Sequence, residues 1–282
     1  MADITVNIDF AKLHEIADLG IRRASVFMGI ATNVARIDPP VSHVLDDKTQ
    51  FIVMPSEISE ANRRLLIDEF ENWNIGNAFR EIVETFSLFL LEAYGIIHIV
   101  ETNSLASLER AKRRFSFKGG VSDHLQIVCD MVGVENRFGP MFVAMNQARN
   151  CIAHRRGIVG MADILEPDRP FNLCWRTRGF VLEDGRDVGL ALQRGEEVYV
   201  AKEQALVSME VERSKLFSLG QQIRLNRHEL SEICFGFMIA TQVVGQGLVA
   251  YIRAKGIRVP EEETAKFLNE SGASLPDPSK GT

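Results

Sequence analysis

The chain has 282 residues, 46% of them hydrophobic and 25% charged, which excludes a disordered chain and is enough to bury a sizeable core in one large domain or two small ones. Its formal net charge of −6 argues against broad electrostatic capture of nucleic acid, although a local basic patch can act within an acidic protein. The cysteines Cys129, Cys151, Cys174 and Cys234 form no CxxC pair, so they read as buried free thiols rather than a zinc site.

The N-terminus MADITVNIDF lacks the charged-then-apolar order of a signal peptide, and a reducing cytoplasm is the expected setting. Ile4, Val6 and Ile8 alternate like a stub of strand. Asp9 then caps a helix expected to run to about Arg36, with Leu13, Ile16, Leu19, Ile21, Val26, Phe27 and Ile30 as its apolar positions. Pro39-Pro40 stops it, and residues 38–57 read as a loop with a short apolar piece at Phe51–Met54. A longer helix is expected from Ser56 or Ser59 to about Ile99. Its first part, with Leu65, Leu66, Phe70, Trp73 and Ile75, is amphipathic, and Phe86 to Leu91 is nearly all apolar. Gly95 is a point where it ends or bends, and His98, in an apolar run, reads as a packed histidine.

Five basic residues, Arg110, Lys112, Arg113, Arg114 and Lys118, follow with Phe115 and Phe117 among them. Cations for phosphates and rings for stacking suit RNA. The same run also fits a short helix with a solvated basic face and two core phenylalanines. Gly119-Gly120 breaks it, and Asp123 to Val132 predicts another short helix. Pro140 suits the first turn of the next helix. Met141, Met145, Ala148 and Ile152 form its buried stripe, Gly157 its C-cap, and Arg155 and Arg156 suit the negative end of its dipole.

Beyond Pro167 and Pro170 the texture changes to short alternating runs, Leu173–Thr177, Phe180–Leu182, Val188–Leu192, Val198–Val200 and Leu206–Val211. Asp184-Gly185 and Arg194-Gly195-Glu196 read as turns. A small antiparallel sheet or set of hairpins is therefore expected within 171–225, inserted between helices. Asn226-Arg227-His228-Glu229 has the form of a capping box and opens the last long helix, to about Lys255. Within it Ile233–Ile252 is uncharged and long enough to span a bilayer. Its Thr241, Gln242, Gln246 and three glycines, and the charged residues before it, favour a helix buried in a bundle, with no membrane. From Pro260 the chain is a polar tail. The fold class expected is mainly α, a helical bundle with a small antiparallel β insertion before the last long helix.

The richest chemistry lies in Arg149, Asn150 and His154. Histidine titrates near neutrality and can move the protons of RNA cleavage. Arginine can hold a phosphate and its developing charge with forked donors. Asn150 can orient either group, and Arg155 and Arg156 can hold flanking phosphates. Arg110, Lys112, Arg113 and Arg114 are further RNA-binding candidates. On an unbroken helix Arg149 and His154 stand roughly 140° apart. Either the helix ends near Ala153 and the histidine turns back, or two copies of the motif meet across an isologous homodimer.

Arg149-Asn150-x-x-x-His154 resembles the signature of the HEPN superfamily, helical domains found in many prokaryotic toxins and antiviral RNases. Its motif is an arginine, usually followed by Asn, His or Asp, with a histidine four to six positions after the arginine. The resemblance covers about residues 59–165 and the last helix, and 171–225 departs from it; the domains expected are a bundle of 57–165 with 226–256, residues 1–56 packed on it, a β-rich insertion at 171–225 and a polar tail at 260–282. It implies dimerisation and, in active members, endoribonuclease chemistry without metal or cofactor; other members are inactive scaffolds. A toxin–antitoxin or defence setting, with an antitoxin-like protein partner, is an implication of the same resemblance. Arg36 and His43 also fit a looser version of the spacing, but Ile37 follows that arginine and Pro39-Pro40 interrupts it. The competing expectations are a non-catalytic module of this type binding nucleotide, RNA or a protein, and a helical scaffold or sensor using 171–225 as its interaction surface.

Overall fold

A computed structural model describes residues 8–36, 59–164, 169–182, 184–193, 197 and 206–260. The expected strand stub before Ile8, the Pro39-Pro40 loop with Phe51–Met54, the turn at 194–196, the run at 198–200 and the tail after Pro260 lie outside the described residues.

The fold is mainly α, with a two-stranded antiparallel sheet before the last long helix. Helix α1 (Phe10–Arg22) passes through one π-helical stretch, Arg23–Phe27, into α2 (Met28–Arg36). Asp9 caps α1 by accepting from the Lys12 N–H at 3.0 Å. The buried stripe is Phe10, Leu13, Ala17, Gly20, Ala24, Met28 and Thr32. From Gly20 onward its spacing is four, wider than an α-helical turn, and the π segment, where Met28 N–H reaches the Arg23 carbonyl, keeps those positions on one side. Val26, Phe27 and Ile30, expected as packed positions, are instead 50%, 54% and 58% exposed. Small residues at Ala17, Gly20 and Ala24 decide the contact face, because they admit the neighbouring helix where larger side chains would not.

That neighbour is α3 (Glu60–Thr102), 43 residues long and about 65 Å end to end. It packs on α1, α2, α4 (Leu108–Ser116), α5 (Val121–Val132), α6 (Gly139–Arg155) and α8 (Arg227–Ala254). Gly95 does not end it. Its missing side chain leaves room for the Lys112 stem on the way to Glu92, and the helix stops only at Asn103, in the left-handed conformation. Phe86 of α3, Phe142 of α6 and Phe237 of α8 meet with ring centroids 4.6, 5.3 and 5.0 Å apart. This triad ties the three helices at the core. Helices α3 and α8 are each long and apolar enough to cross a membrane, and 50% and 67% of their most apolar windows are buried against the rest of the protein.

The capping box of α8 forms as read: Glu229 N–H donates to Asn226 Oδ1 at 2.8 Å, and Asn226 N–H to Glu229 Oε2 at 2.7 Å. The insertion is simpler than a set of hairpins. One strand, β1 (Phe171–Leu182), absorbs two of the predicted runs and pairs along its whole length with β2 (Leu206–Phe217), from Phe171 opposite Phe217 to Leu182 opposite Leu206. Its inward side chains Phe171, Leu173, Trp175 and Thr177 are buried, and β1 packs on α6 and α8. Val188–Leu192, read as a strand, lies within a short helix, α7 (Val188–Gln193). Asp187 starts it by accepting the Leu190 N–H at 3.0 Å, a capping signal that outweighs the alternating pattern.

Candidate functional site

Helix α6 carries the Arg149 motif. Met141, Met145, Ala148 and Cys151 are buried along it, and Ile152 is half-buried. The helix continues unbroken through His154 to Arg155. Arg156, not Gly157, takes the left-handed C-cap, at φ 54°. Gly157 follows at φ 76° and closes the end by donating its N–H to the Cys151 carbonyl at 3.1 Å.

Arg149 is 31% exposed and held twice. Its Nη2 donates to Glu84 Oε1 of α3 and its Nη1 to Asn150 Oδ1, both at 3.0 Å. Arg80, one turn back on α3, reaches the same Glu84 oxygen from 4.0 Å. His154 is exposed and has no hydrogen-bond partner among the described residues. Since the helix does not end at Ala153, Arg149 and His154 stand roughly 140° and 7.5 Å apart along α6. One chain does not bring them to one phosphate. Asn150, half-buried, is one turn before His154 on its side of the helix.

Arg155 turns to the short 3₁₀ turn Met161–Asp163, where it grips Asp163 with Nε at 3.1 Å and Nη2 on the other oxygen. Asp163 is buried and also accepts the Gly160 N–H. Cys151 lies beside this pair, and burial first and Asp163 second push its thiol up to about 11.

On α4 the basic run divides. Arg110, Arg113 and Arg114 are exposed, whereas Lys112 is half-buried in its ion pair with Glu92. Phe115 is core, stacked between Tyr94 at 4.3 Å and His124 at 4.4 Å, while Phe117 is 84% exposed. The surface therefore keeps three arginines, Lys118 and one ring from that run. Glu92 and Glu84, which anchor α4 and Arg149 respectively, are about 12 Å apart along α3. His98 bonds Ser107 Oγ through Nε2 at 2.8 Å and stacks on Tyr94, a packed histidine.

Arg156 instead faces a groove of about 640 Å³ between the first half of α3, the end of α6 and residues 222–225. Trp73, Asn77, Arg80 and Arg224 also line it. The sequence reading did not single out Arg80 or Arg224. On α3, Asn77 and Arg80 fall at helical spacing on the side of Trp73, and a count of apolar positions registers Trp73 but passes over the two polar residues. Among the described residues no three His, Cys, Asp or Glu side chains are grouped to hold a metal ion. No protein-family model, curated protein or solved structure matches the chain.

Proposed function

We propose that the chain is a metal-independent endoribonuclease of HEPN type that works as a homodimer, with Arg149, Asn150 and His154 as its catalytic residues. The observation that carries this reading is the disposition of Arg149 and His154 on one unbroken helix. Arg149 is pinned at the α3 side and His154 stands free in solvent, so a cleft using both is completed by a second α6. In that cleft His154 takes the proton of the ribose 2′-hydroxyl as the 2′-oxygen attacks phosphorus. The P–O5′ bond breaks, the partner's histidine protonates the leaving 5′-oxygen, and the products carry a 2′,3′-cyclic phosphate and a 5′-hydroxyl. Glu84 and Asn150 occupy one N–H on each of two guanidinium nitrogens, which orients Arg149 and leaves its other donors for the phosphate.

The test is cleavage of single-stranded and structured RNAs in EDTA by the wild-type chain and by His154→Ala, with analysis of product ends. Cyclic phosphate ends that disappear in the variant support the reading. A folded dimer that cleaves none of them moves the assignment to a second reading, a non-catalytic module of the same type that binds RNA. That reading is favoured by the Glu84 carboxylate, which offsets the charge of Arg149 where a phosphate would sit.

A further inference from the structure

The groove beside α6 has the chemistry of a nucleic-acid strand, and it leads to Arg149. Along α3, Trp73, Arg80 and Glu84 follow one another over about 16 Å. Glu84 links Arg80, at 4.0 Å, to Arg149, at 3.0 Å. Arg80 lines the groove with a buried Nε that has no hydrogen-bond partner among the described residues, a donor whose desolvation is uncompensated until an acceptor arrives. Across the groove, among the described residues, Arg156 makes no ion pair and the Arg224 guanidinium meets only the neutral Gln222, through Nε at 2.9 Å. Trp73 is 64% exposed at the same surface, a large ring that no packing argument requires to be outside. Asp68 and Glu69 lie at the opposite end of the α3 stretch from Arg80, so on α3 the groove wall passes from acidic to basic toward Arg80.

We infer that this groove seats single-stranded RNA beside the cleavage motif, its phosphates on Arg80, Arg156 and Arg224 and a base stacked on Trp73. The run from Trp73 to Arg149 is longer than a lone nucleotide, which selects a strand over a free nucleotide, and Asp68 and Glu69 repel phosphates from the far end. The inference rests on RNA being the ligand, as in the ribonuclease reading, but not on cleavage.

Binding is therefore measured with a 2′-O-methyl oligouridylate, whose blocked 2′-oxygen cannot attack phosphorus, on the full-length chain. Trp73 is the reporter: the other tryptophan, Trp175, is buried and donates to Glu232 at 3.0 Å. Saturable quenching by the oligonucleotide is expected, and it disappears in Trp73→Phe. By anisotropy of a labelled oligonucleotide, Arg80→Gln and Arg224→Gln each weaken binding roughly tenfold, and Trp73→Ala by a similar factor. The two arginine variants sit on different elements, so the misfolding of one leaves the other informative. Absence of quenching, or unchanged affinity in the folded arginine variants, overturns the inference. Uridine monophosphate binding as tightly as the oligonucleotide also overturns it, in favour of a free-nucleotide site. If oligonucleotide binding follows these residues while natural RNA is never cut, the groove stands and the ribonuclease reading falls.

Discussion

Arg149 and Glu84, 65 residues apart in the chain, meet at 3.0 Å between α6 and α3. The pair fixes which way the arginine faces, and with it where any second chain must approach to combine Arg149 with a histidine. An arginine turned to the α3 side cannot share a phosphate with His154 of its own helix.

Mixed dimers test this directly. Arg149→Ala and His154→Ala are each expected to lower cleavage by roughly 10²-fold or more. Refolded together, the two inactive chains regain part of the wild-type rate, because one cleft then holds an intact arginine from one chain and an intact histidine from the other. A mixture as inactive as its components would mean that the cleft needs both histidines at once or draws its arginine and histidine from one chain.

Gly236 of α8 passes where β1 and α6 converge. A Cβ there would run into the Arg176 carbonyl oxygen of β1 and lie 2.8 Å from Met141 Cε of α6. The carbonyl belongs to a paired strand and cannot yield, so Gly236→Ala should cost about 1–3 kcal/mol despite alanine's better helix propensity. Gly29 in α2 has nothing within 4 Å of its added Cβ, and Gly29→Ala should stabilise by up to about 1 kcal/mol. Urea midpoints of the two variants are expected to move in opposite directions.

His124 gives a pH dependence of known sign. Burial holds its imidazolium below the ordinary 6.5, against the opposing effects of the Phe115 carbonyl and Asp123. The Nε2 bond to the Phe115 carbonyl, at 3.0 Å, makes Nε2 the donor and leaves buried Nδ1 without a partner among the described residues. The unfolded chain takes up this proton at higher pH than the folded one. Stability is therefore lost as pH falls from about 6.5 toward the lower folded value. Urea unfolding at pH 7.5 and 5.5 should show the loss, and His124→Gln, which keeps an N–H donor, should reduce it.

Thiol chemistry checks the core. Burial pushes Cys129 and Cys151 up to about 11 and Cys234 to about 12, so none of these forms appreciable thiolate at pH 8. Iodoacetamide should modify Cys174, half-exposed on β1, ahead of the other three, and all four only after denaturation. Early labelling of Cys151 would mean that the end of α6 opens in solution.

The order of helices, both capping residues of the long partners α1 and α8, and the insertion before α8 were legible because they depend on local signals: Asp9, Asn226 with Glu229, Pro140, and runs of apolar residues at one period. Gly95 and Val188–Leu192 misled for the same reason. Whether a glycine breaks a helix depends on what packs over it, here Lys112, and an alternating pattern gave way to the cap at Asp187. In the basic run, spacing alone did not say which phenylalanine would face Tyr94 and which would face water.

By itself the sequence determined that the chain is mainly helical, that its insertion is β, and that arginine, asparagine and histidine are concentrated at one helix end. Each follows from periodicity, caps and residue chemistry within a few turns. Only the tertiary structure decided that Arg149 faces Glu84, that Arg155 turns to Asp163 while Arg156 turns to the groove, and that Arg80, Arg224 and Trp73 share that groove. Most of these partners come from other elements, and a side chain's direction is set by the charges and shapes that those segments bring to it.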